Sequence, residues 1–329
     1  DVYKRQAPFI TSQDTLFHIE TLTVYLDDGA CRGRGEALGV DYLGETAQSL
    51  SHQVMEIAPE LEARLSTQGG EDPGRDGART LVESLLPPGG ARNAVDCALW
   101  DLACKKTGRR AWELMGRMVH PVTTHFTLSL ASADVMAAEA LAHPEHQLLK
   151  LKLDAGDVEA RLEAVRDARP GAELLIDANG AWDLPQLERL GDALARHRVT
   201  LLEQPLPRGS EDALANLDYP VPLCADESCQ HAGELESLVG RFDAINIKLD
   251  KTGGLTAALA LAGRARALGF ELMVGNMLGS SLAMAPAFLV AQDCRWVDLD
   301  GPFWQRADRE HPIRYEGGVM SVPDPALWG

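Results

Sequence analysis

The chain has 329 residues, 45% hydrophobic and 24% charged, a globular balance long enough for one large domain with a smaller companion. Its 49 acidic against 31 basic residues give a formal charge of -18, which argues against nucleic acid or an anionic membrane as the main partner. The longest apolar run, SLAMAPAFLVA at 281–291, is too short to span a bilayer, and six scattered cysteines without metal-type spacing suit a reduced cytoplasm; no signal peptide is visible.

The opening DVYKRQ resembles neither a signal nor the strand expected before APFITS, and is read as a truncated or artefactual beginning. From Phe17 to Leu38 an alternating run, a turn at Asp27–Gly29 and a second short run predict two strands. A helix from about Gly44 to Leu65 follows, then a Gly/Pro-rich loop at 67–77 and a second helix. In GGARNAVDCALWDLACKKTG, Ala94, Val95, Ala98, Leu99, Leu102 and Ala103 keep helical spacing, and Gly108 stands where a helix C-cap belongs. This α+β module is expected to cover residues 1–117.

Beyond it, over 118–311, short apolar strands alternate with amphipathic helices. HFTLSL, LLKLKL, AELLIDA, VTLLEQP, VPLCADE, DAINIKL, FELMVGN and RWVDLD are eight strand candidates, with helices filling the gaps. Repeated strand–helix units need parallel strands and right-handed crossovers, so eight of them point to a closed TIM-like α/β barrel; an open doubly wound sheet is the competing architecture. Thr127, Lys152, Asp177, Glu203, Asp226, Lys248, Asn276 and Asp298 recur 22 to 28 residues apart, one strand–helix unit each, which sets them at one height at the carboxyl ends of the strands. The final PIRYEGGVMSVPDPALWG reads as a hairpin and tail returning over 312–329 to the first module.

Asp177, Glu203 and Asp226 come from consecutive strands. Three buried carboxylates at one point repel unless a cation joins them, and hard oxygen donors with open positions suit one Mg2+ per subunit. Helix caps or turns are the plainer account of any one of them. Lys152 precedes the acids by one strand and Lys248 follows by one, so in a closed ring they face the metal from opposite sides. Near a cation, in a partly desolvated site, a lysine's pKa is expected to fall far enough for it to act as a base. Two bases across one carbonyl or carboxylate imply removal of the α-proton, an enediolate stabilised by metal charge, and proton return on the other face: epimerisation or racemisation. Lys150, one pleat deeper, is expected to stay charged and hydrogen-bond a substrate carboxylate. An edge strand with both lysines in water is the alternative for Lys150 and Lys152 taken alone.

KLK at 150–152, DANGAW at 177–182, EQP at 203–205, ADES at 225–228 and NIKLDKTGG at 246–254 together resemble the muconate-lactonising subgroup of the enolase superfamily, and GRGEA at 33–37 and ARNAVDCALWDLA at 91–103 are similar to its capping domain. The resemblance implies an α+β capping domain on a (β/α)7β barrel. Asp298 and Asp300 in DLDGP face one way from the eighth strand and make an acidic pocket for a cation, helix capping being the plainer account. Here the chain resembles dipeptide epimerases of the L-Ala-D/L-Glu type, which implies a small dipeptide substrate whose α-ammonium the pair would hold, in murein peptide metabolism, with Thr127 and the backbone near Asn276 and Leu278 also touching substrate. Members acting on a C-terminal glutamate share an arginine after a PF dipeptide; this chain has neither Arg nor Lys over 7–20, with Asp14 about where that charge would fall. Arg32 or Arg34 could substitute, although strand positions account for both. Glu227 is expected to orient Lys248 from the adjacent strand end.

Within the same superfamily, o-succinylbenzoate synthase, N-acylamino acid racemase and cycloisomerase share the half-reaction on substrates without a free ammonium. A non-catalytic metal-binding homologue would have no reason to keep both lysines. Self-association into a homo-oligomer is left open.

Overall fold

A computed structural model of the chain describes residues 2–11, 15–67, 76–215 and 217–329. Two antiparallel hairpins open it: β1 (Val2–Ile10) with β2 (Thr15–Glu20), and β3 (Leu22–Asp27) with β4 (Arg32–Ala37). The first is a correction to the sequence reading, since Val2 pairs with Glu20 and Lys4 with His18 before a register shift. A polar run without alternation still forms a strand when a neighbour completes its backbone ladder. The turn between β3 and β4 falls at the expected residues, with Gly29 at φ 87 and its N–H donated to Asp27 Oδ1 at 2.9 Å.

Three helices complete the module: α1 (Ala47–Thr67), α2 (Asp76–Leu85) and α3 (Gly90–Thr107), the last ending at Gly108 with φ 65. Helix α3 is buried from Gly90 to Cys104 and lies against β4. A Cβ on Gly33 would stand 2.2 Å from Ala98 O, and one on Gly35 2.2 Å from Ala94 O. The alternating glycines of GRGEA therefore let the helix backbone settle directly on the strand.

A short helix α4 (Ala111–Leu114) and strand β5 (Val122–Thr123) lead into eight parallel strands: β6 (Phe126–Leu128), β7 (Leu148–Lys152), β8 (Glu173–Asp177), β9 (Val199–Glu203), β10 (Leu223–Ala225), β11 (Ala244–Ile247), β12 (Glu271–Val274) and β13 (Trp296–Val297). Each pairs with the next, and His125 N to Val297 O at 2.8 Å with Leu299 N to Thr124 Oγ1 at 2.7 Å joins the last to the first. The ring is closed, which rules out the open doubly wound sheet.

Helices α5 (Ala133–Ala142), α6 (Val158–Ala168) and α7 (Leu184–Arg196) fill the first three gaps. The expectation of a full helix fails at the next two: among the described residues only a 3-10 turn at Glu211–Leu214 separates β9 from β10, and a 3-10 turn with the single-turn α8 (Leu235–Leu238) separates β10 from β11. Pro205, Pro207 and Gly209 on one side and Pro220 and Pro222 on the other confine any helix in the first of these to residues 210–219. The short α9 (Leu249–Thr252), then α10 (Leu255–Ala267) and α11 (Ser281–Ala291), complete the layer. At the end, the hairpin of β14 (Tyr315–Glu316) and β15 (Val319–Met320) adds to β5, and the tail reaches α3 through Trp328 Nε1 to Cys97 O at 3.0 Å.

Side chains two apart on a strand share a face, so the inward positions stack in layers. Leu175, Leu201, Cys224, Ala244, Met273 and Trp296 form an apolar cluster of their own, fully buried. Asp177, Glu203, Asp226 and Asp298 stand two residues beyond Leu175, Leu201, Cys224 and Trp296, and so form a polar layer on an apolar floor.

The module is also fastened to the barrel by a buried carboxyl. Asp250 accepts hydrogen bonds from Leu38 N at 2.8 Å and Asn93 Nδ2 at 3.2 Å, and burial pushes its pKa up to about 7 despite them. An unfolded chain releases that proton near pH 3.8, whereas the folded one holds it to about pH 7. Stability from this group is thus full below pH 3.8 and lost as the pH rises through 7, by up to about 4 kcal/mol. Asn at position 250 keeps an acceptor for both donors. Asp250→Asn is therefore expected to gain in melting temperature relative to the parent between pH 5 and 8, and a pH-independent difference in thermal melts would contradict this.

Candidate functional site

The strand-end residues meet inside the mouth of the barrel. Lys150 and Lys152 point inward from β7, 2% and 7% exposed, so the edge-strand alternative is excluded. Lys152 Nζ lies 2.6 Å from Asp177 Oδ2 and 3.1 Å from Asn179 Oδ1. Lys248, just past β11, lies 2.7 Å from Asp226 Oδ2. Since β7 and β11 are the second and sixth of eight strands, the two ammonium groups come from opposite sides of the ring. Lys150 Nζ sits lower, 3.0 Å from Asp177 Oδ2, 2.7 Å from Glu203 Oε2 and 2.8 Å from Asp298 Oδ2.

Asp177, Glu203 and Asp226 face one interior, but lysines separate their oxygens, and they do not close into a tight triple. Among the described residues such a triple forms only at His143, Glu145 and His146, ahead of β7 at the other end of the barrel. Two groups the sequence reading missed support the acids from below. Lys251, on α9, donates to Asp226 Oδ1 and O, both at 2.6 Å, and Asn246 Nδ2 donates to Glu203 Oε1 at 2.7 Å. The signal for Lys251 was its place three residues after Lys248, on the same face of one helical turn.

Six buried carboxylates (Asp177, Glu203, Asp226, Glu227, Asp298 and Asp300) meet four buried ammonium groups (Lys150, Lys152, Lys248 and Lys251). The formal excess is two negative charges, and its effect is visible in the acids. Burial and the neighbouring Asp177 push Glu203 up to about 8, burial and Asp226 push Glu227 up to about 7, and burial and Asp298 push Asp300 up to about 6. Burial acts the same way on Asp177, but Lys150 and Lys152 overcome it and bring it down to about 2; Lys248 and Lys251 hold Asp226 lower still. Glu203 Oε2, although 2.7 Å from Lys150, receives no hydrogen bond of acceptable angle. A hard-oxygen donor set short of two positive charges fits a divalent cation. Lys248 corrects one expectation: burial alone would depress it, but Asp226 and Glu203 raise it well above the ordinary lysine value. Lys150, expected to stay charged, is raised in the same way by Asp177, Asp298 and Glu203. They serve here as counter-ions to the carboxylates.

Above this layer lies a cavity of about 280 Å³, near the lower end of small-molecule sites. Thr127, Lys150, Lys152, Asp226, Lys248, Asn276, Leu278, Asp298 and Asp300 line it, while Asp177 and Glu203 lie beneath. Asp300 Oδ2 accepts from Thr127 N at 2.9 Å and Trp304 Nε1 at 3.2 Å; Asp298 Oδ1 is buried without a hydrogen bond. Leu278, at φ 67, gives its N–H to Asn276 Oδ1 at 2.6 Å, so that backbone donor is already engaged. The amino-terminal module contributes Thr11, His18, Glu20, Tyr42 and Glu45.

Other expectations are redirected. Glu227 hydrogen-bonds Asn179 Nδ2 at 3.2 Å, on the Lys152 side, and not Lys248. Arg32 pairs with Asp27, and Arg34 binds the carbonyls of Ala326 and Leu327, so neither reaches the cavity. Asp14 lies outside the described residues.

Known proteins share this fold. Residues 133–326 match the enolase C-terminal domain-like family, and residues 1–116 the N-terminal domain of mandelate racemase/muconate lactonizing enzymes. The chain is 46% identical over 246 residues to an N-acetyl-D-glutamate racemase of a Pseudoalteromonas species, covering 75% of this chain and 78% of that one. It is 38% identical over 325 residues to the L-Ala-D/L-Glu epimerase of Escherichia coli K12, covering 98% of each. A crystal structure of an enolase family member from Agrobacterium tumefaciens with homology to dipeptide epimerases, with bound sodium and L-Ala-L-Glu, superposes with a TM-score of 0.94 at 41% identity, over 100% of this chain and 98% of that one.

Proposed function

Because the chain belongs to the enolase-like family of mandelate racemase and muconate lactonizing enzymes, we propose that it is a Mg2+-dependent dipeptide epimerase acting by 1,1-proton transfer. The observation that carries this reading is the pair Lys152 and Lys248, buried on opposite sides of the ring with the acids between them. Asp177, Glu203 and Asp226 would hold the metal. When bound, the ion supplies the positive charge that the lysines lend these acids here, and steadies negative charge on the substrate carboxylate. Freed from that task, one lysine gives up a proton to solvent and, as the neutral amine, takes the α-proton, and the C–H electron pair moves into the carboxylate to give an enediolate. The opposite ammonium returns a proton to the other face. Lys150 stays charged and donates to the substrate carboxylate. Asp298 and Asp300 accept the dipeptide's ammonium, with Thr127, Asn276 and Leu278 shaping the wall. We assign residues 1–117 and 312–329 to the cap and 118–311 to the barrel. A cytoplasmic setting is supported by six unpaired cysteines.

A second reading, racemisation of an N-acylated amino acid, is favoured by the 46% identity to the N-acetyl-D-glutamate racemase. A panel of dipeptides and N-acetylglutamate, incubated in deuterated water with Mg2+, separates the two by mass. Exchange of dipeptide α-protons, lost on adding a chelator, is the expected result. Exchange with N-acetylglutamate alone would establish the second reading, and none with either would leave a non-catalytic homologue.

A further inference from the structure

We propose that Glu227 is a positioning residue for one of the two proton-transfer arms, acting on Lys152 through the side-chain amide of Asn179; this rests on the epimerase reading. Glu227 is 7% exposed, and Oε2 is buried without a hydrogen bond. A carboxylate is costly to bury, and its side-chain hydrogen bond runs from Asn179 Nδ2 to Oε1 at 3.2 Å. The other end of that amide, Asn179 Oδ1, accepts from Lys152 Nζ at 3.1 Å. An amide has a donor end and an acceptor end, a carboxylate only accepts, and an ammonium only donates. Turned around, Asn179 would set NH2 against NH3+ and oxygen against carboxylate. Glu227 therefore fixes which way the amide points, and so gives Lys152 a second acceptor besides Asp177. The Asn179 backbone is set as well, at φ 43 with its N–H on Asp177 Oδ1 at 2.9 Å. Lys248 is held differently: its partner is Asp226, which Lys251 grips from behind. Loss of Glu227 should thus act on one face of the substrate.

The test compares Glu227→Leu, which removes the acceptor, with Glu227→Gln, which keeps an oxygen for the Asn179 amide. Lys152→Ala first identifies the epimer whose proton Lys152 removes. Exchange of that epimer should fall about tenfold or more in Glu227→Leu, the other epimer should stay within about threefold, and Glu227→Gln should restore most of the loss. Mg2+ affinity, measured by calorimetry, should be unchanged. Equal losses on both faces, no loss at all, or a loss that follows Mg2+ affinity would overturn the assignment. Competitive acetylation of the Mg2+-loaded protein, read by peptide mass, needs no substrate. Reactivity of Lys152 relative to Lys248 should shift in Glu227→Leu and not in Glu227→Gln; unchanged ratios overturn the proposal even where wild-type protein turns over no substrate, an outcome that would count separately against the epimerase reading. Should Glu227→Leu fail to fold, Asn179→Ala cuts the same link and is read in the same way.

Discussion

Lys248→Ala is expected to abolish interconversion of the epimers, by roughly 10³-fold, while sparing half of the exchange chemistry. Lys152 stands on the other side of the ring and keeps its contacts to Asp177 and Asn179. It can still remove the α-proton of the epimer that faces it and return a deuteron to the same face. One isomer then gains deuterium without inverting, and its epimer stays inert. Lys152→Ala should show the complement. Chiral separation with mass detection reads both quantities in one experiment. If either variant still inverts the centre, or if both lose exchange of both isomers equally, the two-base geometry is wrong. The second failure would show the lysines acting only as counter-ions to the acids, the role that the raised pKa of Lys248 describes in this structure.

The second large effect concerns Asp298. Its Oδ2 is occupied by Lys150 at 2.8 Å, while Oδ1 is buried with no hydrogen bond. Asparagine at this position keeps an oxygen for Lys150, which retains Asp177 and Glu203 as charged partners, but removes the charge that would meet a further cation. Truncating one partner of a buried charge pair costs about 2–5 kcal/mol, so kcat/KM for dipeptides should drop about 30-fold or more. N-acetylglutamate carries no ammonium, and its turnover should be spared or improved. A parallel loss on both substrates would remove the ammonium-binding role from the DLDGP segment. It would then leave that segment as a support for Thr127, whose backbone N–H rests on Asp300.

Much of the architecture could be read along the chain because a closed barrel repeats itself. One strand and one helix per unit place a polar residue at each strand end, and β7 to β9 fall within a residue or two of their predicted limits. What could not be read was lateral. Glu227 sits beside Asp226 in sequence, yet its hydrogen bond crosses to Asn179, two strands back, because it stands in the turn after β10, where strand alternation no longer sets the side-chain direction. Lys251 carried no assigned role, but the single turn of α9 swings it under Asp226. The helices expected after β9 and β10 shrank to short turns, the first of them confined between prolines on both sides and the second without a proline to account for it. At the beginning of the chain, β1 owes its pairing to β2 and not to its own pattern. The lysine pKa values belong to the same class, since they depend on which charges lie across the ring.

The layer formed by Leu175, Leu201, Cys224, Ala244, Met273 and Trp296 makes the reaction chamber blind-ended. With no passage through that stopper, reactant and inverted product share one doorway, between the strand ends and the module bearing Thr11, His18 and Glu20. Forward and reverse traffic therefore meet the same constriction, and where passage through it limits the rate, added viscogen should depress kcat/KM in both directions by the same factor.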